Sequence, residues 1–332
     1  MSVTAEAVRD VPQPGGPRPI SIRTDRSVQD QVYRVITSAT GLGTLVLLFL
    51  IGLFLLLRGL PALRIEGFRF VTTSGFETIG KNLHFGVAAS LFGTFVVATV
   101  ALVVAVPVAL ATAIFLNEYA PERSRRFLTA VVDLGAAIPS VIYGLWGIFE
   151  FQPNLVGFCT WLSRHLAWIP FFEVTTPKVT ASLFVAGMVV GLMIVPIIAS
   201  VTREVFSLTP QGEREAALAL GSSRFGMIRT VVIPFGRGGM IGAIMLGLGR
   251  ALGETIAVVI ILAESFVISP HILQTGGSTV AAFIAIHAES GGPTGTAALM
   301  LAGFTLFLFT MAVNLAASAI VSRSRSGAGV EL

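Results

Sequence analysis

From about residue 36 onward the chain alternates long apolar runs with short polar ones. Six of the apolar runs are long enough for a helix to cross a bilayer, since a hydrocarbon core of about 30 Å takes about 20 helical residues. They predict spans near 36–57, 87–116, 127–149, 180–202, 239–263 and 296–321. The second is overlong, so it is expected to tilt or to extend past the membrane. Pro107 and Pro196 fall inside spans, where neighbouring helices can satisfy the carbonyls that a proline frees. The expected architecture is an all-α integral membrane domain of six transmembrane helices over 36–321, between polar tails at 1–35 and 322–332. The first tail, with VPQPGGPRP and mixed charge, reads as disordered. No apolar core with a cleavage site follows a basic start, so no removable signal peptide is predicted.

The longest polar interruption in the second half is 209–234, TPQGEREAALALGSSRFGMIRTVVIP. Thr209 before Pro210 reads as an N-cap followed by proline at the first helical position. That helix should run to about Leu220 and stop at Gly221, the residue best suited to a left-handed C-terminal turn. Ser222 or Ser223 can cap a second helix, which Pro234 is expected to end. Ala216, Ala219 and Leu220 recur at helical spacing and form a small apolar face between Glu215 and the arginines. A capped hairpin with such a face suits docking into a groove on a soluble partner. An amphipathic loop lying on the bilayer is the plainer alternative.

Arginine placement sets the expected orientation. With the N-terminus inside, the inner segments hold fifteen arginines and the outer ones six basic residues: Arg58, Arg64, Arg69, Lys81, Arg164 and Lys178. That bias places both termini and the 209–234 loop in the cytoplasm. The outer stretch 150–177 carries Trp161, Trp168, Phe171 and Phe172 around a few charges, which reads as an interfacial helix or a docking surface for an external partner. The segment 264–295, with GGS and SGGP, reads as an outer loop that dips partly into the membrane region.

Composition narrows the chemistry. With 54% hydrophobic and 12% charged residues and a mean hydropathy of +0.85, the chain is too apolar for a soluble globular protein. Its basic pI is no sign of nucleic acid, because the arginines cluster at the ends of apolar runs. A single cysteine, Cys159, excludes an intrachain disulfide. His84, His165, His271 and His287 show no ligand spacing, so neither a metal site nor another cofactor is expected. Lys81 and Lys178 are the only lysines, and neither sits in a phosphate-cradling G-x-x-x-x-G-K-[ST] loop. If ATP drives this protein, another subunit binds it. Asp133, near the inner end of the third span, reads as a helix cap or a partner for Arg126.

One charged stretch lies inside a span: Gly249-Arg250-Ala251-Leu252-Gly253-Glu254-Thr255. Arg250 is about 11 residues into the fifth run, hence roughly 16 Å along a helix axis and near the midplane. A charge facing lipid there costs about 2.5–3.5 kcal/mol. On a continuous helix Arg250 and Glu254 would share a face at i and i+4 and could pair, and Gly249 and Gly253 would let another helix come close. Two readings are open: a buried ionic staple between helices, or residues lining a path in which Arg250 offers a planar donor fork to an oxyanion.

Three motifs carry a family resemblance. Glu215-Ala216-Ala217, three residues, Gly221, nine residues and then Val231-Val232-Ile233-Pro234 is similar to the EAA loop of ABC-transporter permeases, whose final pattern is I-x-L-P. RALGETIAV with AAIPSVIYGLWG at 136–147 and AIFLNEYAP at 113–121 resembles the membrane subunits of the bacterial phosphate-specific ABC importer, the PstC-type more than its paralogue. The resemblance covers 36–321. It implies a type I ABC importer permease fold whose cytoplasmic coupling helix, through Glu215, Ala216, Ala217, Gly221 and Pro234, sits on a separate ATPase. It further implies a PstA-type permease partner, two PstB-type ATPase subunits and an external phosphate-binding protein. Phosphate would pass along a path that includes Arg250, Glu254 and Thr255. The chain itself would be no enzyme, and it would lie in the bacterial inner membrane amid lipid. A permease for molybdate or sulfate is the rival within this class, and an ion-driven secondary carrier the rival outside it.

Overall fold

The structure, a computed structural model, describes residues 28–77, 84–174, 180–289 and 292–325. Most of the expected N-terminal tail, Lys81, Lys178 and the chain beyond Arg325 lie outside the described residues. Helix α1 (Val28–Glu66) begins eight residues before the predicted first span, so 28–35 are helical where the sequence suggested the end of a tail. The chain divides into two compact units at Ile51. In the first, residues 28–51 form one helical run with every residue exposed. Its last turns, from Leu45 through Leu47 and Phe49 to Ile51, are apolar all round, as a lipid-facing span is.

In the second unit a one-turn helix α2 (Arg69–Thr72) leads into an unexpected hairpin. Strands β1 (Ser74–Glu77) and β2 (His84–Val87) pair antiparallel, with Phe76 opposite Phe85. Helix α3 (Ala88–Ile114) continues through a π-helical turn to Tyr119. Its 32 residues rise about 48 Å, so it overshoots a 30 Å core as expected. Helix α7 (Leu183–Ser207) packs along it. The contact is built from Ala98, Ala101, Ala105 and Ala109 against Gly187 and Gly191, where an added Cβ would lie 2.6 Å from Val100 and 3.0 Å from the Ala101 carbonyl. Small residues are what let two helices close in lipid, where burial alone gives no driving force.

The predicted third span is not one straight helix. Helix α4 (Glu122–Ala137) ends at Ile138-Pro139, both extended, and the chain restarts as α5 (Ser140–Trp146), a π turn and α6 (Gln152–His165), bent 91° from α4. A residue before proline is driven out of the α region, and two extended residues in succession turn the chain. Of the tryptophan-rich stretch expected as an interfacial helix or docking surface at 150–177, the first part continues this second arm to His165, and Trp168, Phe171 and Phe172 follow in turns. Trp161 lies within it and is half exposed.

Helices α8 (Gln211–Ala219) and α9 (Arg224–Met227) form the polar hairpin. Helix α10 (Ile233–Leu252) follows through a π turn at 228–232. The predicted fifth span breaks after Leu252: α11 (Ile256–Ile261) is a separate short helix on the far side of Gly253. Residues 262–279 carry only isolated bridges, from Ser182 to Thr275 and Gly276. They lead to helix α12 (Val280–His287), buried over its first four residues, and then to α13 (Gly292–Arg325). Among the described residues five helices are long and apolar enough to cross a membrane, or six if the bent pair counts as one span.

Candidate functional site

The hairpin folds much as its residues direct. Gly221 sits at φ +84°, and Ser222 N–H donates to the Ala217 carbonyl at 3.1 Å, closing the left-handed end of α8. Ser223 caps α9, its Oγ accepting the Gly226 N–H at 3.1 Å. Two expectations fail. Thr209 caps nothing: it is buried, its Oγ1 has no partner among the described residues, and Pro210 occupies the cap position. Nor does Pro234 end the second helix, because the helical path continues from Arg224 to Leu252. In the π turn ahead of it, Ile233 N–H bonds back five residues to Ile228. This widened turn shifts the ladder where Pro234 has no N–H to give.

No residue of α8 is buried. Glu215 and Ala216 are exposed, and Ala217 packs against a small core of Ala113, Phe206, Met227, Ile228 and Val232. Leu220 is 90% exposed and Phe225 68%, with Leu208 and Leu218 beside them in the chain. These are large apolar side chains exposed on and beside a hairpin otherwise rich in charge.

A buried ion pair braces the hairpin, and the sequence reading missed it. The π turn at the end of α3 aims Glu118 inward, and its carboxylate meets Arg214 of α8 at 3.0 Å, with side-chain exposures of 5% and 19%. Arg214 also donates to the Phe206 carbonyl at 2.6 Å. Asn117 donates to Glu118 and accepts from Arg125, while Arg224 stacks 5.3 Å over the Tyr119 ring. The signal in the sequence is a polar Asn117-Glu118-Tyr119 triplet at the end of an apolar run.

Arg250 and Glu254 are not the helical pair that their spacing predicted. Arg250 lies in the last turn of α10, and Glu254 stands past Gly253 in the break. No ion pair joins them. Glu254 is 8% exposed, and its Oε1 accepts the Ala257 N–H at 3.3 Å, fixing the start of α11. Thr255 is the residue before α11, its Oγ1 donating to the Gly253 carbonyl at 3.2 Å. The physical cause is Gly253, which lowers helix propensity where a carboxylate can replace the lost ladder bonds.

Arg250 is exposed. Its one described polar contact is the Met193 thioether at 3.9 Å, and Tyr143 lies within reach of its charge. Met193 is the eleventh residue of α7, about 15 Å from its start, so the guanidinium sits beside the middle of a span. An added Cβ on Gly249 would meet nothing within 4 Å among the described residues, so that glycine makes no close approach to them; Gly144 does, with Ala257 Cα 2.9 Å from such a Cβ. Asp133 pairs with Arg203 of α7 at 3.7 Å and accepts from Ser200 at 2.8 Å, not from Arg126. Among the described residues no group of histidine, cysteine or acidic side chains is placed to hold a metal.

Comparison with known proteins matches residues 105–326 to a family model described as binding-protein-dependent transport system inner membrane component. The chain is 42% identical over 302 residues to phosphate transport system permease protein PstC 2 of Mycobacterium tuberculosis, covering 90% of this chain and 93% of that one. It is 44% identical over 272 residues to the PstC permease of Mycobacterium leprae, covering 81% and 85%. A solved bacterial ABC transporter involved in alginate import is similar at a TM-score of 0.51 and 16% identity, over 71% of this chain and 78% of that one. That last likeness is one of fold alone.

Proposed function

Because this chain belongs to the family of binding-protein-dependent transport inner-membrane components, a multi-pass membrane permease subunit of the type I fold, we propose that it carries phosphate in an ATP-driven importer. The observation that carries the substrate is the near full-length likeness to chains named as phosphate permeases. In this reading the chain forms half of the path beside a PstA-type partner. Two PstB-type ATPases hydrolyse ATP, and an external binding protein delivers phosphate. Both termini face the cytoplasm, as the arginine bias favours. The chain breaks no bond itself.

Two features support roles for its residues. An arginine exposed beside the middle of α7 cannot face lipid without a cost of about 2.5–3.5 kcal/mol, so it faces either water or the partner subunit; both positions border a path. Its planar fork suits an oxyanion, with Thr255 in the break beyond it. The hairpin supplies the coupling: Glu215, Ala216, Ala217, Gly221 and Pro234 shape a helix pair whose apolar residues stand exposed, and the Glu118–Arg214 pair ties its motion to α3.

A single cysteine tests side and contact together. Leu220→Cys in a Cys159→Ser background should react with an impermeant thiol reagent in inside-out vesicles and not in intact cells. Bound ATPase should shield it, and stripping the ATPase should restore labelling. Labelling from outside, or labelling indifferent to the ATPase, would sink the coupling assignment.

A further inference from the structure

At the end of the bundle opposite the hairpin, a cavity of about 160 Å³ lies under the 262–279 segment, lined by Ser265, Ser269, His271, Gln274, Thr275 and the first turns of α3 and α7 at Ala89 and Leu183. Its volume suits a tetrahedral oxyanion. The polar side chains on its wall are three hydroxyls, an imidazole and a carboxamide. No carboxylate lines it, and the nearest in sequence, Glu264, is turned to His287 at 3.5 Å.

The two serines are preset as donors. Ser269 Oγ accepts the His271 N–H at 3.2 Å, and Ser265 Oγ accepts the Val267 N–H at 3.4 Å. Among the described residues no acceptor takes either hydroxyl proton. An oxygen that already accepts a backbone N–H is held in place, and its proton is left for a guest. The wall behind them is fixed by His271, whose Nδ1 donates to the Pro170 carbonyl at 2.9 Å. The positive ends of two long helices, 27 and 25 residues, add a field that favours an anion. Their leading amides are largely occupied, Ala89 N–H by Ser74 and Phe184 N–H by Ile272. The helices therefore contribute potential, and the hydroxyls contribute the bonds.

We propose that this cavity is an entry site that holds a tetrahedral oxyanion, phosphate on the reading above, between its release from the binding protein and its arrival at Arg250. Its entry role rests on that reading, and its chemistry does not. Arg250 of α10 stands beside Met193, farther along α7 from the cavity toward the hairpin, so the two sites stand in the order an imported anion would meet them. Two hydroxyl donors and no fixed cation give a weak site, with a dissociation constant in the low millimolar range. Weak holding lets the anion move on.

The test uses the assembled complex with Val267→Cys, an exposed cavity residue, in a Cys159→Ser background. A sulfonated methanethiosulfonate is applied from outside without ATP. Phosphate at about 10 mM should slow labelling several-fold against chloride of equal ionic strength. Adding Ser265→Ala with Ser269→Ala should abolish that protection. Protection by sulfate or molybdate without phosphate would keep the cavity and overturn the phosphate assignment. No protection by any of the three anions would overturn the cavity while leaving the import reading to its own uptake assay. Undiminished protection in the double alanine variant would also overturn it.

Discussion

Replacing Arg250 with glutamine should lower ATP-driven phosphate uptake by about tenfold to a hundredfold while the complex assembles at its normal yield. A hydrogen bond to a charged group contributes about 1.5–3 kcal/mol, and each 1.4 kcal/mol is a factor of about ten. Yield should hold because Arg250 is exposed and pairs with no carboxylate among the described residues, so its removal strands no buried charge. Glu254 already has a partner in the Ala257 N–H, and a glutamine oxygen there can still accept that bond. The double variant, Arg250→Gln with Glu254→Gln, should therefore also be stable and inactive. Uptake restored in it would refute a role in the path and bring back the ionic staple. Complex yield beside uptake in vesicles decides the matter.

Glu118→Gln is expected to act in the opposite way, on stability and coupling before substrate. It leaves the Arg214 guanidinium largely buried without its counter-charge, and breaking a buried pair from one side costs about 3–5 kcal/mol. The melting temperature of the detergent-solubilised complex should fall, and the binding protein should no longer stimulate ATP hydrolysis. Glu215→Gln, on the exposed face of α8, should leave the melting temperature unchanged. Pairing Glu118→Gln with Arg214→Met should recover stability, because no unpaired charge remains. A Glu118→Gln complex with normal melting and normal stimulation would show that the pair braces nothing.

The long apolar runs were legible because lipid demands them, and so were the turn at Gly221 and the cap at Ser223, which need only local chemistry. What the sequence hid lies where two local rules compete. Pro234 reads as a stop, but a π turn just before it absorbs the missing N–H, and nothing in residues 228–232 announces that turn. Ile138-Pro139 sits within one apolar run, and hydropathy outweighed the proline that bends it. At Gly253 the spacing of Arg250 and Glu254 assumed a continuous helix, whereas the carboxylate's real use is to start the next one. Asp133 was matched to the nearest arginine in sequence, while the fold brings Arg203 of α7 to it. The Glu118–Arg214 pair was beyond reach for the same reason, since it joins residues 96 positions apart across two helices. Of the candidate path, the residue types were legible and their arrangement was not.

The central claim, that this chain carries phosphate at the expense of ATP hydrolysed by a separate subunit, is tested most directly by uptake of labelled phosphate into proteoliposomes. These hold the assembled complex, with ATP inside and binding protein outside. Accumulation against a gradient should require both and should stop when either is omitted, with sulfate and molybdate failing to compete. Accumulation driven by an ion gradient without ATP, or uptake of sulfate or molybdate in place of phosphate, would contradict it.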